Sequence, residues 1–162
     1  MKHIQQFEQF INEQALETRY SAGLAIVFDG KVLLGHSTGR KSNTGFGISK
    51  GGIDGGESVI EAAIRETREE FGIKVPRSLI KSPEYTFVVT SRKYKYNKVV
   101  YYYIVELESL AQIGLKELKV PKKQLQVKEV DSARFMDREE ANKHIMLSQI
   151  PVLQNLTAQG LI

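Results

Sequence analysis

Three glutamates near the middle of the chain, Glu66, Glu69 and Glu70, stand at helical spacing. On a helix that turns by about 100° per residue, positions i, i+3 and i+4 lie on one side. Like charges at this spacing destabilise a helix by about 0.2–0.5 kcal/mol per pair. A divalent cation removes that repulsion, and carboxylate oxygens are ligands that Mg²⁺ and Mn²⁺ prefer. The spacing therefore indicates a metal site, although the same pattern alone is typical of a solvated helix face.

A longer pattern surrounds these glutamates. From Gly51 to Ile73 the chain reads G-x5-E-x7-R-E-T-x-E-E-x-G-I. This resembles the Nudix box, Gly-x5-Glu-x7-Arg-Glu-U-x-Glu-Glu-x-Gly-U, in which U is usually a bulky aliphatic residue. Every fixed position matches, and the one departure is Thr67 at a U position. The agreement at the fixed positions of this 23-residue pattern disfavours the solvated helix face.

The resemblance implies a Nudix hydrolase domain over residues 1–162. The implied fold class is α+β, an α/β/α sandwich with a mixed central β-sheet between helices. The implied cofactor is Mg²⁺ or Mn²⁺, with more than one ion per site. Site roles carry over by position: Glu66, Glu69, Glu70 and a backbone carbonyl around Lys50–Gly51 as metal ligands, the glutamates and Arg65 as catalytic residues, and Glu57, Gly52 and Gly72 as structural support.

The implied reaction is hydrolysis of a diphosphate linked to another group, usually in a nucleoside diphosphate derivative. Divalent ions would bridge the phosphate oxygens and lower the pKa of a bound water. A carboxylate then accepts the proton of that water. Glu69 or Glu70 could serve, and Glu106, Glu108 and Glu129 are candidates outside the box that the sequence does not rank.

The substrate-binding residues predicted from the sequence are Lys50 and, within the basic segment 92–98, Arg92, Lys93, Tyr94 and Lys95. Bases interleaved with tyrosines are suited to hold phosphates and to stack a base or an RNA 5′ end. A solvated hairpin tip is the alternative, since lysines also protect strand edges. Three functions stay open: hydrolysis of ADP-ribose, a dinucleoside polyphosphate or a related compound; pyrophosphate or cap removal from RNA 5′ ends; and nucleotide sensing without cleavage, which the intact box glutamates disfavour.

Composition restricts the class of protein. The chain has 162 residues, 41% of them hydrophobic, which is enough for one domain with a buried core. The absence of cysteine excludes thiol nucleophiles, thiolate zinc sites and disulfides. The net charge of +4 is too small to indicate nucleic-acid binding by itself. We predict a cytoplasmic protein with no signal peptide and no membrane partner, and a homodimer is possible.

Coarse patterns predict the elements that position these residues. Asp29-Gly30 between two apolar runs predicts a hairpin. Ser58 and Glu61 form a capping-box pattern that starts a helix over 58–71, with Ile60, Ile64, Thr67 and Phe71 facing the core and the glutamates on the other side. The further expectations are a helix over about 3–15, a glycine-rich loop over 36–56, strands near 84–91, 98–107 and 126–136, and helices near 137–144 and 147–158.

Overall fold

The computed structural model describes residues 4–6, 16–41 and 43–162. The strands are β1 Glu17–Phe28, β2 Lys31–Ser37, β3 Phe46–Gly47, β4 Ser49–Gly52, β5 Tyr85–Ser91, β6 Tyr96–Leu107 and β7 Val130–Asp137. The helices are α1 Val59–Phe71, α2 Arg138–His144 and α3 Ile150–Ala158. The seven strands form one sheet in the order β3-β2-β1-β6-β5, with β4 paired to β1 and β7 paired to β2.

The sheet is mixed and helices cover both of its faces. β1 and β6 are parallel, whereas the other strand pairs are antiparallel. One core lies between the sheet and α1 and includes Leu24 and Val105. The second core includes Ile104 of β6 and Leu156 of α3. The predicted α/β/α sandwich is therefore confirmed.

The hairpin at Asp29-Gly30 forms as predicted. Both residues have positive φ, 48° and 69°, as a two-residue turn of the right twist requires. Beyond Val27 and Val32 the two strands diverge, because β1 pairs with β4 while β2 pairs with β3 and β7. This divergence opens a split in the sheet, and the candidate site lies beside it.

Helix α1 begins and ends as the sequence predicts. The Ser58 hydroxyl accepts a hydrogen bond from the Glu61 N–H, and the Glu61 carboxylate accepts one from the Ser58 N–H at 2.7 Å. Gly72 closes the helix in the left-handed conformation, φ 66°. Both ends are fixed by local sequence, so the position of the glutamates along the helix is fixed too.

Several boundaries differ from the prediction. The glycine-rich segment 36–56 is not only loop, because the short strands β3 and β4 form within it. β7 begins at Val130 instead of residue 126, since residues 126–129 form a turn in which the Glu129 N–H donates to the Gln126 carbonyl at 2.8 Å. Of the helix predicted over 3–15, residues 4–6 are helical and the remainder lies outside the described residues.

The C-terminal helix also starts later than predicted, at Ile150, after a short 3-10 turn over Leu147–Gln149. Its apolar side chains Val152, Leu153 and Leu156 are buried against the sheet. Within the part of the chain that the structure describes, no helix combines the length and apolarity needed to cross a membrane.

Candidate functional site

Two of the three glutamates lie on the packed face of α1. Thr67 and Phe71 are buried as predicted, but the other fully buried positions are Ala62 and Ala63 instead of Ile60 and Ile64, which are half-buried. Going round the helix, Glu66 and Glu70 fall between Ala62 and Thr67. The prediction that all three glutamates face away from the core is therefore wrong for Glu66 and Glu70. The small alanine side chains allow α1 to approach the sheet closely.

Glu70 extends from α1 to the backbone of β4. Its Oε2 accepts a hydrogen bond from the Lys50 N–H at 3.1 Å. Burial raises the pKa of Glu70 to about 7, and the charges of Glu66 and Glu129 act in the same direction, while Lys50 opposes them. Burial also raises the pKa of Glu66, against the effect of Arg65. The positive charges of Arg65 and Lys50 compensate only partly for the burial of these carboxylates, and a bound cation would supply more.

Arg65 links the box loop to the carboxylates of α1. Its Nη2 and Nε donate to the two oxygens of Glu57 at 2.6 and 3.1 Å, and Nη2 also donates to the Gly52 carbonyl at 2.8 Å. Its Nη1 donates to Glu66 at 2.7 Å and to Glu69 at 3.1 Å. One guanidinium therefore fixes the loop and two of the glutamates relative to each other.

The glycines of the site have different roles. A Cβ at Gly51 would overlap the Glu66 carboxylate, so a larger residue here would displace the end of that side chain. A Cβ at Gly52 would meet no atom within 4 Å, and this residue contributes the carbonyl that accepts from Arg65. At Gly72, which has positive φ, a Cβ would crowd the backbone of Gln124.

A cavity of about 240 Å³ lies beside Glu70, at the split in the sheet. Its walls carry both signs of charge, from Glu70, Glu129, Lys50 and Lys128. Glu106 and Glu108 line a different cavity. Of the three carboxylates outside the box that the sequence left unranked, the structure therefore places Glu129 next to the box glutamates.

The basic segment is divided by the structure. Arg92–Lys95 form the exposed turn between β5 and β6, with Tyr94 64% exposed and Lys93 Nζ 5.1 Å from its ring centroid. None of these four residues lines the cavity beside Glu70, which Lys50 does line.

Lys98, in contrast, lies half-buried on β6, opposite Arg19 of β1. Burial lowers the pKa of Lys98, as does the charge of Lys50, whereas Glu70 and Glu66 act in the opposite direction. The prediction from the sequence covered the whole basic segment 92–98 and did not separate Lys98 from the exposed turn.

The site has oxygen donors of the type that a divalent cation prefers, but they are not arranged around an ion. Within residues 4–6, 16–41 and 43–162, no group of three His, Cys, Asp or Glu side chains already has an arrangement that could hold a metal ion. Arg65 instead engages Glu66 and Glu69. The chemistry still fits, because the donors are hard oxygens and the missing Cβ of Gly51 leaves the Glu66 carboxylate against the β4 backbone.

Comparison with known proteins gives one family. The NUDIX domain model matches residues 17–156. No curated protein matches the chain.

Solved structures similar to the chain include three from different organisms. An Ap4A hydrolase binary complex from C. elegans is 21% identical, with a TM-score of 0.63 over 88% of this chain and 97% of that one. A MutT NUDIX hydrolase from Burkholderia pseudomallei is also 21% identical, with a TM-score of 0.63 over 85% and 97%. A bifunctional NMN adenylyltransferase/ADP ribose pyrophosphatase from Francisella tularensis, complexed with AMP and a Mn ion, is 11% identical, with a TM-score of 0.65 over 96% and 46%. At these identities the likeness shows the shared fold.

Proposed function

Because the chain belongs to the Nudix hydrolase family, we propose that it hydrolyses diphosphate linkages in nucleoside diphosphate derivatives and requires divalent metal ions. The observation that carries this proposal is the burial of Glu66 and Glu70 on α1 beside Lys50. Burying carboxylates without a full complement of positive charge is unfavourable. A site that binds cations and a phosphate group together accounts for both the acids and the bases.

The residues that would hold Mg²⁺ or Mn²⁺ are Glu66, Glu69, Glu70 and a backbone carbonyl around Lys50–Gly51. When bound, such ions neutralise phosphate charge and activate water. Arg65 orients Glu66 and Glu69 through direct hydrogen bonds, and Glu57 holds Arg65 in place. Precise orientation of ligands by such partners raises metal affinity, typically by 10- to 100-fold.

Glu129 is the residue we propose to accept the proton from the attacking water. It is exposed, lines the same cavity as Glu70, and its charge influences the pKa of Glu66 and Glu70. The turn that carries it is joined to α1, since the Gln126 N–H donates to the Glu70 carbonyl at 3.1 Å. A carboxylate in this position can reach a water in the cavity without giving up a metal ligand.

Lys50, Lys98 and Lys128 supply positive charge for the phosphates of the substrate. Lys50 and Lys128 line the cavity, and Lys98 interacts electrostatically with Glu70. ADP-ribose and dinucleoside polyphosphates are the substrates we place first. Two of the similar structures, an Ap4A hydrolase and an ADP ribose pyrophosphatase, support testing these compounds.

An RNA 5′-pyrophosphohydrolase is the second candidate. The observation in its favour is the exposed turn Arg92–Lys95, where a lysine lies over the exposed ring of Tyr94. Such a surface suits a longer nucleic-acid chain extending beyond the cavity. A nucleotide-sensing role without cleavage is disfavoured, because all four glutamates of the box are present.

The experiment is a comparison of ADP-ribose, Ap4A and 5′-triphosphorylated RNA as substrates, with Mg²⁺ or with EDTA. We expect product release from at least one of them only with Mg²⁺. Glu70→Gln should abolish this activity while the melting temperature shows a folded protein. Glu139→Gln is the matched control, because Glu139 is an exposed acid of α2 paired with Lys143. Full activity of the Glu70→Gln variant, or no hydrolysis of any substrate, would contradict the proposal.

A further inference from the structure

His36, on β2, is buried between two hydrogen-bond acceptors. Its Nδ1 lies 2.7 Å from Asp131 Oδ1, and its Nε2 lies 2.9 Å from the Lys41 carbonyl oxygen. His36 as a whole is 5% exposed. A neutral imidazole has a single N–H and can satisfy only one of these acceptors. Both contacts are hydrogen bonds only when the ring is protonated, so the geometry is that of an imidazolium.

The surroundings of His36 agree with a positive charge. Burial alone would lower its pKa, but the hydrogen bonds to Lys41 and Asp131 and the charge of Asp131 together outweigh burial and raise it. Asp131 of β7 is the charged side chain in contact with the ring, and Lys41 presents its backbone. Phe46 of β3 packs 5.0 Å away, and Arg134 of β7 and His144 of α2 pack on that phenyl ring.

Asp131 reaches His36 because of a bulge in the pairing of β2 with β7. His36 is opposite Ser132 and Ser37 is opposite Val130, which leaves Asp131 as the extra residue. A bulge of this kind redirects a side chain and bends the strand locally. The bulge and the ion pair therefore occur together, at the point where β7 leads back to the turn at 126–129.

The chain next to this ion pair holds the turn that carries Glu129. Thr38, two residues after His36, donates its N–H to the Glu129 carbonyl at 2.9 Å and its hydroxyl to the Val127 carbonyl at 2.8 Å. Asp131 follows Glu129 by two residues on the other side. The His36–Asp131 contact thus fixes both chain segments that enclose the Glu129 turn.

We propose that the His36–Asp131 ion pair positions Glu129 for the hydrolytic step. His36 is then a positioning residue, since it does not line the cavity and acts through Glu129. This inference rests on the proposed function, in which Glu129 accepts the proton. When His36 loses its charge, one of its two hydrogen bonds is lost and the Glu129 turn becomes less well fixed.

A double-mutant cycle between His36→Gln and Glu129→Gln tests the inference. We expect His36→Gln to lower kcat by roughly 10-fold, the size found for partners that orient active-site groups, with little change in KM, when both proteins are assayed well below their melting temperatures. In the Glu129→Gln background the same substitution should lower kcat no further, because its effect passes through Glu129. Asp131→Asn, which keeps the shape but removes the charge, should behave like His36→Gln. His144→Gln is the control, since His144 contacts Asn43 and lies outside the site.

The pH dependence separates positioning from a merely structural role. The advantage of wild type over His36→Gln in kcat should be largest at low pH and shrink as the pH rises through the raised pKa of His36. In the wild-type protein, NMR should show the Glu129 amide resonance shifting with the same midpoint as the His36 ring nitrogens. This measurement needs no variant and no activity.

Any of three results would overturn the inference. The His36→Gln variant could have wild-type kcat, or His36→Gln could lower kcat as much in the Glu129→Gln background as in wild type. The third is a Glu129 amide resonance that does not shift as His36 titrates. Failure of the proposed function looks different. In that case the wild-type protein shows no metal-dependent hydrolysis. If hydrolysis occurs but Glu129→Gln retains full activity, both the base assignment and this inference are wrong, while the metal-dependent activity stands.

Discussion

Glu70 Oε2 accepts a hydrogen bond from the Lys50 N–H at 3.1 Å, which joins the last box glutamate of α1 directly to the backbone of β4. The contact places a half-buried carboxylate where the sheet splits and the cavity opens. The groups around Glu70 do not fully compensate for its burial, so its charged form is less favourable in the folded protein than in water. Ionisation of Glu70 at higher pH should therefore lower the stability of the metal-free protein, whereas a bound metal ion should raise it.

Without metal, we expect stability to fall as the pH rises from about 4.5 to about 7. Burial raises the pKa of Glu70 to about 7, so the folded protein holds a proton that the unfolded chain releases near 4.5. The favourable contribution is complete below the unfolded value and is lost as the pH rises through the folded one. In EDTA, the Glu70→Gln variant should not lose stability in this way, so it should be more stable than wild type above pH 7. With Mg²⁺ bound, wild type should be the more stable of the two. Thermal unfolding across pH measures both, and identical pH profiles for the two proteins would contradict the assignment.

Arg65→Lys should weaken Mg²⁺ binding by roughly 10- to 100-fold while the fold is retained. Lysine keeps the charge but cannot bridge Glu57, Glu66 and the Gly52 carbonyl together, as the guanidinium does. Titration of activity with Mg²⁺ measures the effect. Arg68→Lys is the control, because Arg68 lies exposed on the same helix. Equal Mg²⁺ requirements for the two variants would show that Arg65 does not orient the ligands.

Gly51→Ala should destabilise the protein by about 1 kcal/mol, the low end of the cost of overpacking, because the group that must move is the end of the Glu66 side chain. The new Cβ would overlap the Glu66 carboxylate and displace it from β4. Gly52→Ala is the matched control, because a Cβ there meets no atom within 4 Å and the residue is not among those with positive φ. Urea unfolding compares the two variants. Equal stabilities would argue against the close packing of Gly51 on Glu66.

Replacing Lys93 and Lys95 by alanine should leave hydrolysis of ADP-ribose unchanged, because the Arg92–Lys95 turn does not line the cavity. If RNA is a substrate, the same double variant should raise the KM for RNA and flatten its dependence on salt. Lys98→Ala should impair both substrates, since Lys98 lies within electrostatic reach of Glu70. Steady-state kinetics at two salt concentrations distinguishes these effects, and an equal loss on both substrates for Lys93 and Lys95 would refute the division of the basic segment.

Local sequence was sufficient for part of the fold. The caps of α1 and the turn at Asp29-Gly30 depend on neighbouring residues, so both could be predicted. The partial burial of Glu70 could not, because it results from the packing of α1, with the buried Ala62 and Ala63, against a sheet that the sequence alone does not position.

The pairing of distant segments could not be predicted from the sequence either. His36 and Asp131 are 95 positions apart, and they meet through a bulge that no local pattern signals. The position of Glu129 beside Glu70 depends on that same pairing of β2 with β7. The box therefore identifies the glutamates as candidate metal ligands. The residues that surround them can be identified only from the three-dimensional structure.

The most direct test of the metal site is anomalous diffraction from crystals soaked in Mn²⁺ together with a nucleotide. We predict an anomalous peak within coordination distance of the Glu66 and Glu70 carboxylates, and its loss in crystals of Glu70→Gln. Density for manganese only elsewhere on the protein, or none at all while calorimetry also detects no uptake, would contradict the account.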